Sequence, residues 1–342
     1  MLGVIYSLPL ANKEVSYMYI RRSKAIRVLA IGITALCALF TAEASAKLQV
    51  VTTFSQDASI VSAIGGGFIE VVSLTNGLQD PHAVEPKPSL AAHLSRADLL
   101  IVNGQQMELA WLPAALAAVG NPRIQEGGEG YLNASAGVRL IPYTTEELEG
   151  TQFVPFLGED SNHHKVGNHH FWLDPANGLI IARNVYRKLA KMDPKNDWIY
   201  KLNYESFTAR LTEKMKDWDA LMVMFRGVKI VSYHRDWIYL TNRHGLEIVA
   251  YIEPRETIPP SAGDAARLIK LVKDKDIPLI LISPWQPQRA SREIARQSGA
   301  KVLSLPSAVD SRLGTRDYIQ LFDVIYTQLS RALFATQIGT QG

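Results

Sequence analysis

The segment DLLIVNG, residues 98–104, is apolar at each position that a strand would fill. A strand that is apolar on both faces is typical of a parallel sheet covered by helices on both sides. Around it, strand patterns alternate with helical patterns: we predict strands in KLQVVTTFS, FIEVVSLT and VRLIPY, and helices in ASIVSAIGG and MELAWLPAALAAVG. This alternation indicates βαβ units and the α/β class.

The middle of the chain interrupts the alternation, because residues 174–225 contain no convincing strand pattern. A helix is predicted from Pro175, with Asp174 as its N-cap, and it ends before Pro194. A second long helix is predicted in KNDWIYKLNYESFTARLTEKMKDWDALMVMF. The alternation then resumes with strands in VKIVSY, LEIVAYI, PLILIS and KVLSLP. We therefore expect two (βα) lobes with parallel-type sheets, at 47–174 and 194–342, joined by a single long rigid helix at 175–193.

Residues 1–46 have the features of a signal peptide. A basic cluster at 21–27 precedes the apolar run VLAIGITALCALF, and Ala44-Ser45-Ala46 has the small residues that a signal peptidase accepts. We expect cleavage after Ala46 and a periplasmic mature protein. The start codon is either Met1 or Met18, because the basic cluster lies far from Met1.

Cysteine and charge narrow the class of protein further. The single cysteine, Cys37, lies inside the apolar run, and the large Leu36 before it disfavours a lipoprotein cleavage site. Residues 47–342 therefore contain no cysteine and no disulfide. The first 46 residues hold five of the 36 Lys/Arg and two of the 33 Asp/Glu, which leaves 31 of each. A net charge of zero gives no indication of a nucleic-acid partner.

Three of the eight histidines occupy related places in the predicted fold. His82 follows the strand at 68–75, His234 ends the strand VKIVSY, and His170 directly precedes the long helix. Ligands of parallel α/β sheets bind beyond the carboxyl ends of the strands. Asp310 follows a strand of the second lobe, and three imidazoles with one carboxylate form a closed site of the type that Zn²⁺ accepts. Spacing alone matches no short metal motif.

Three long segments carry a resemblance to a known family: DPHAVEPKPSLAAHLSRADLLIVNGQQMELAWL, NHHFWLDP and VSYHRDWIYLTNRHGLEIV. Together with residues 48–334 as a whole, they resemble the metal-binding substrate-binding proteins of bacterial ABC importers, zinc-uptake branch. The resemblance implies two lobes bridged by a rigid helix, with the metal in the cleft between them. It implies the ligands His82, His170, His234 and Asp310, and a monomer that delivers Zn²⁺ to a membrane permease.

Some positions depart from the family pattern or leave alternatives open. The residue before the second ligand is usually proline, and here it is His169. The His-rich loop of zinc importers is reduced to DSNHHKVGNHH, so His163, His164 and His169 are either a remnant metal-capturing loop or ordinary solvated residues. Glu253 is the alternative to Asp310 as fourth ligand. Trp285, in ISPWQP, is a candidate to cover the cleft.

The third ligand position and the motifs of zinc hydrolases bear on the choice of metal and on the class of function. The manganese-selecting branch tends to have glutamate at the third ligand position, so His234 favours Zn²⁺, with Mn²⁺ or iron as the alternative. A zinc hydrolase would hold the ion with three protein ligands and keep a fourth position for water. The sequence has no HExxH or G-x-S-x-G motif. We therefore expect a binding protein rather than an enzyme.

Overall fold

Two four-stranded parallel sheets organise the protein in the computed structural model, which describes residues 47–143, 167–255 and 258–339. The first sheet has the order β2-β1-β3-β4, and its strands are β1 (Leu48–Thr52), β2 (Ile69–Ser73), β3 (Leu99–Val102) and β4 (Tyr131–Asn133). The second sheet repeats this topology as β6-β5-β7-β8, with β5 (Lys229–Ser232), β6 (Glu247–Tyr251), β7 (Leu279–Ile282) and β8 (Lys301–Ser304). All neighbouring strands are parallel, which confirms the predicted α/β class.

The central strands are buried on both faces, as their composition predicts. All four residues of β3 and of β7 are buried, and both strands lie beside the first strand of their sheet. Helices cover the two sheets: α1 (Ser55–Gly65), α2 (Pro88–Arg96), α3 (Leu112–Val119), α6 (Ile238–His244), α7 (Ala262–Asp274), α8 (Gln288–Ser298) and α9 (Tyr318–Gly339). The helices thereby bury the apolar surface on both faces of each parallel sheet.

The chain passes from the first sheet to the second through two consecutive helices, α4 (Pro175–Met192) and α5 (Asp197–Met222). Asp174 caps α4 as predicted, because its carboxylate accepts a hydrogen bond from the Ala176 N–H at 2.9 Å. The longer of the two is α5, with 26 residues, and the two helices pack against each other and against α1. The division of the chain at residues 174 and 193 stays a prediction.

One hydrophobic core extends through both lobes. Its buried members include Val50 and Leu99 of the first sheet, Val185 and Leu211 of the two long helices, and Leu279 of the second sheet. Because the lobes share this core, we expect them to move little relative to each other.

The strand predicted in VRLIPY, residues 138–143, does not form. The fourth strand of the first sheet is instead β4, and in residues 138–143 only Pro142 makes an isolated bridge, to Gly167. The side chain of Asn133 accepts hydrogen bonds from the Ser135 N–H and hydroxyl, which turns the chain away from the sheet. Val138, Leu140 and Ile141 then pack against the main core.

The predicted signal peptide, residues 1–46, lies outside the described residues. In the part of the chain that the structure describes, no helix combines the length and the apolar composition that crossing a bilayer requires.

Candidate metal centre

Four imidazoles meet where the loops after the strands of both lobes converge. His82 lies between β2 and α2, His169 and His170 precede the 3₁₀ turn Phe171–Leu173 that leads into α4, and His234 follows β5. One nitrogen from each ring lies within 4.8 Å of the corresponding nitrogen of every other ring. All four residues are buried, with exposed fractions of 5%, 4%, 1% and 4% in chain order.

Hydrogen bonds on the outer side fix the orientation of three of the rings. His82 Nδ1 lies 2.8 Å from Asp80 Oδ1, His170 Nδ1 lies 3.2 Å from Asn168 Oδ1, and His234 Nδ1 lies 2.6 Å from Glu253 Oε2. A carboxylate or amide oxygen only accepts, so Nδ1 is the donor in each neutral ring and Nε2 keeps its lone pair. Such outer partners are typical of metal-binding histidines.

The Nε2 atoms face the centre of the cluster. Those of His82 and His169 are 3.0 Å apart. His170 Nε2 is buried and has no hydrogen-bond partner within residues 47–143, 167–255 and 258–339. A buried polar atom without a partner is costly unless a ligand satisfies it.

Short-range turns place the histidines. The Asp80 carboxylate also accepts from the His82 N–H at 2.9 Å, and the Asn168 side chain likewise accepts from the His170 N–H at 2.9 Å. Both are turns in which an Asp or Asn side chain bonds the backbone two residues later. The Asn168 amide donates to the carbonyl of Arg235 at 2.9 Å. The loop that carries His169 and His170 is thereby held to the segment that follows His234.

Burial keeps the inner rings neutral. Removal from water lowers the pKa of His169 and of His170 well below the usual value, and the neighbouring imidazoles lower both further. Burial would raise the pKa of the Asp80 carboxyl, but the hydrogen bonds from the ring and the backbone N–H of His82 hold it below its usual range. At neutral pH His169 and His170 therefore offer unprotonated nitrogens to a cation.

Three of the four predicted ligands, His82, His170 and His234, belong to this cluster, and Asp310 does not. The Asp310 carboxylate accepts from the Gly77 N–H at 3.1 Å and from the Arg312 guanidinium at 2.9 and 2.5 Å. Arg312 lowers the pKa of this carboxyl, so it is a charged partner of the arginine. Asp310 thus joins a loop of the second lobe to the loop that leads to His82.

The fourth place in the cluster belongs to His169, which sequence reasoning left among the solvated or metal-capturing loop residues. Two sequence features could have indicated His169 as a cluster member: it directly precedes His170, and it replaces the proline that usually stands before the second ligand. Glu253, the alternative carboxylate, lies behind His234 and contacts its Nδ1. His163 and His164 lie outside the described residues.

The remaining histidines are separate from the centre. His93 is exposed on α2. His244 is buried at the end of α6, where its Nε2 lies 2.8 Å from the Tyr326 hydroxyl. Burial, together with the charge of Arg243, lowers its pKa to about 4, so its position at the helix end does not keep the ring protonated at neutral pH.

Comparison with known protein families shows which family this chain belongs to. The sequence model of the family described as "Zinc-uptake complex component A periplasmic" matches residues 50–332. The chain belongs to this family. It is therefore the substrate-binding component of an ABC importer, as the resemblance implied, and not an enzyme.

Relatives within and near the zinc-uptake family include proteins named for two metals. The chain is 27% identical to the high-affinity zinc uptake system protein ZnuA of Bacillus subtilis, over 75% of this chain and 76% of that protein. It is 26% identical to the manganese ABC transporter substrate-binding lipoprotein PsaA of Streptococcus pneumoniae, over 76% of this chain and 79% of the relative.

Solved structures share the fold of this zinc-uptake component. A crystal structure of ZnuA has a TM-score of 0.68 and 21% sequence identity, and the match covers 84% of this chain and 99% of that one. The substrate-binding protein FpvC of Pseudomonas aeruginosa, solved with Mn²⁺, has a TM-score of 0.69 and 23% identity, with 85% and 100% covered. At these identities the likeness concerns the fold, and the two-lobe architecture agrees with it.

Proposed function

We propose that this protein captures Zn²⁺ outside the cytoplasm and delivers it to the membrane permease of an ABC importer. The ion is held by the Nε2 atoms of His82, His169, His170 and His234. The observation that carries the proposal is the set of four buried imidazoles whose nitrogens lie within 4.8 Å of one another. Family membership supports the transport role.

The chemistry of the donor set favours zinc. Zn²⁺ accepts four ligands in a tetrahedral arrangement and binds imidazole nitrogen readily. Mn²⁺ binds nitrogen sites more weakly than Zn²⁺ and is better matched by carboxylate and water oxygens. The two carboxylates considered as ligands are engaged elsewhere, Asp310 with Arg312 and Glu253 with His234 Nδ1.

Manganese is the second candidate, because relatives of this chain include a protein named for manganese transport. The two candidates differ in a competition titration. A site of four imidazoles should prefer Zn²⁺ over Mn²⁺ by several orders of magnitude, whereas a manganese carrier should show a much smaller ratio.

The placement of the ligands suggests how the ion is released. His82 follows β2 of the first sheet, His169 and His170 come after β4, the last strand of that sheet, and His234 follows β5 of the second sheet. A permease that separates the loops of the two lobes would remove a ligand from the ion. Because the lobes share one core, we propose a small rigid-body or loop motion rather than wide opening.

The remaining parts of the proposal concern the state of the protein in the cell. We propose a periplasmic monomer, released by cleavage after Ala46, that has no nucleic-acid partner. The mass of the secreted protein should correspond to a chain that begins at Lys47. A retained leader or a lipid on Cys37 would contradict this part and leave the metal site unaffected.

Elemental analysis of the protein purified from its native compartment tests the central proposal. We expect one zinc per chain for the wild type and for His93→Ala, which removes an exposed histidine outside the centre. His170→Ala should lose the ion under the same conditions. Native protein that carries manganese, or zinc content unaffected by His170→Ala, would contradict the assignment.

A further inference from the structure

Trp285 lies against the metal centre in a tight turn of the second lobe. The turn follows β7, and Pro284 and Pro287 flank the residues Trp285 and Gln286. The indole ring is 6.0 Å from the ring of His82 and 6.2 Å from that of His234, measured between centroids, with interplanar angles of 56° and 66°. These two histidines come from different lobes, so one side chain of the second lobe spans both.

A buried hydrogen-bond network fixes this turn. The Ser283 N–H donates to the Gln286 side chain at 2.8 Å, and the Gln286 N–H donates back to the Ser283 carbonyl at 3.0 Å. The Asp236 carboxylate accepts from the Ser283 hydroxyl at 2.5 Å and from the Gln286 amide at 3.0 Å. All three of these residues are buried.

The same network reaches the ligand His234. Ser232 donates its hydroxyl to the carbonyl of His234 at 2.6 Å, and its oxygen lies 3.5 Å from Asp236. Asp236 therefore connects the backbone that carries His234 to the turn that carries Trp285. Because both segments are held by one buried carboxylate, the indole keeps a fixed position relative to this ligand.

An indole in this position has two physical effects on a bound ion. Its nitrogen only donates hydrogen bonds, so it cannot act as a ligand, and its half-buried apolar ring displaces water from one side of the centre. When the imidazoles hold a divalent cation they carry part of its positive charge. An aromatic ring about 6 Å away attracts that charge, most strongly when water is excluded.

We propose that Trp285 is a positioning residue that slows the release of the bound ion. It covers the side of the centre where His82 and His234 meet and stabilises the loaded state. This role rests on the proposed function, since it requires a cation among the four imidazoles. Trp285 also contacts ligands of both lobes, so separation of the lobes would withdraw the indole from His82 as the site opens.

The test is the rate of zinc release from the loaded full-length mature protein. An excess of a chromogenic chelator traps free zinc in a stopped-flow instrument, and zinc capture by the metal-free protein is timed separately. We expect Trp285→Ala to release zinc about 3- to 30-fold faster, the range that a cation–aromatic contact supplies. Capture should accelerate less, so that the affinity weakens. Trp285→Phe should restore most of the slow release, because it keeps an aromatic ring.

The matched control is Trp198→Ala, which removes a tryptophan of α5 that is 65% exposed. Its release rate should equal that of the wild type. If Trp285→Ala does not fold, Trp285→Leu replaces it, since leucine keeps an apolar side chain without the aromatic ring.

Two results would overturn the inference: an unchanged release rate in the Trp285 variants, or equal acceleration of release and capture. Equal acceleration of release and capture would mean that Trp285 slows both steps without stabilising the loaded state. A wild-type protein that binds no zinc would instead contradict the proposed function. The two failures are therefore distinguishable.

Discussion

Three of the four clustered histidines depend on the residue that contacts the outer nitrogen, Nδ1. The oxygen acceptors on Nδ1 come from Asp80, Asn168 and Glu253, and each turns the Nε2 atom of its histidine inward. The Glu253 contact is the shortest of the three, at 2.6 Å, and Glu253 itself is buried. A carboxylate in this position also makes the imidazole a stronger donor to a metal.

Glu253→Gln should therefore weaken zinc binding by about 10- to 100-fold, although the residue is not itself a ligand in this account. Glutamine keeps an acceptor oxygen but removes the negative charge beside His234. Glu247→Gln, an exposed change at the start of the neighbouring strand β6, is the control and should leave the affinity unchanged. Equal affinities of the two variants in a chelator competition would show that Glu253 has no effect on His234.

The choice between His169 and Asp310 as fourth ligand gives a second prediction. His169→Ala should weaken zinc binding by more than about 100-fold, a larger loss than removal of an outer partner causes. Asp310→Ala should change the affinity by only a few-fold. It should lower the free energy of unfolding by about 1–3 kcal/mol, because the Gly77 N–H loses its buried acceptor. The opposite order of affinities would restore the carboxylate as ligand.

The sequence could place three of the four proposed ligands but not the fourth, and the reason is local. His82, His170 and His234 each adjoin a predicted element boundary, where parallel-sheet topology concentrates binding residues. Asp310 has the same kind of place, but Arg312, two residues later, holds its carboxylate. That ion pair depends on the turn after Asp310. No spacing rule separates it from coordination of a metal.

At the scale of the elements, the position of the turn that carries His169 and His170 depends on how closely α4 approaches α9. The Tyr318 hydroxyl, at the start of α9, donates to the carbonyl of Trp172 at 2.7 Å, two residues after His170. Gly178 of α4 makes room for the Tyr318 ring, since a Cβ at this position would lie 2.4 Å from Tyr318 Cε1. Helix packing thus supports the turn that carries His169 and His170.

Gly178→Ala should lower the free energy of unfolding by about 1–3 kcal/mol, because the added methyl group overpacks the contact with Tyr318. Gly263→Ala is the matched control: Gly263 lies in the exposed first turn of α7, where a Cβ would meet nothing closer than 3.7 Å. The control should be neutral or should stabilise by up to about 1 kcal/mol, since alanine favours helices. Urea unfolding of both variants measures the difference, and equal loss of stability would contradict the packing argument.

The order of the elements was predictable because the apolar strands and helical spacing are strong signals, whereas the segment VRLIPY was not. Its apolar residues fit a strand pattern, yet they pack against the main core from outside the sheet. Periodicity reports that a segment has a buried face, and it does not report which partner covers that face. Strand β4 has only three residues, too few to show a strand pattern in the sequence.

For the whole molecule, the buried imidazoles make the metal-free protein sensitive to acid. Burial lowers the pKa of His169 and His170 well below 6.5 and that of His244 to about 4. Between these values and about 6.5, the unfolded chain is protonated at these positions and the folded chain is not. The unfolded state therefore binds more protons, and stability falls as the pH falls through this window.

We expect the free energy of unfolding of the metal-free protein to decline from about pH 6.5 towards pH 4. His244 alone contributes up to about 3 kcal/mol to this decline, at about 1.4 kcal/mol per pKa unit. His244→Gln should reduce the slope by about one proton, and Arg243, Asp219 and Tyr326, which surround the ring, are unchanged in that variant. Denaturant unfolding at a series of pH values checks this. A metal-free protein equally stable at pH 7 and pH 4.5 would contradict the neutral, buried state of these rings.

We propose that four imidazoles, two of them adjacent in the sequence, hold one zinc ion between the lobes. An anomalous-difference map at the zinc edge, from crystals of the zinc-loaded protein, shows where the ion binds. We predict one peak about 2.0–2.1 Å from the Nε2 atoms of His82, His169, His170 and His234. A peak coordinated by Asp310 or Glu253 in place of His169, or a peak away from the four imidazoles, would contradict this ligand set.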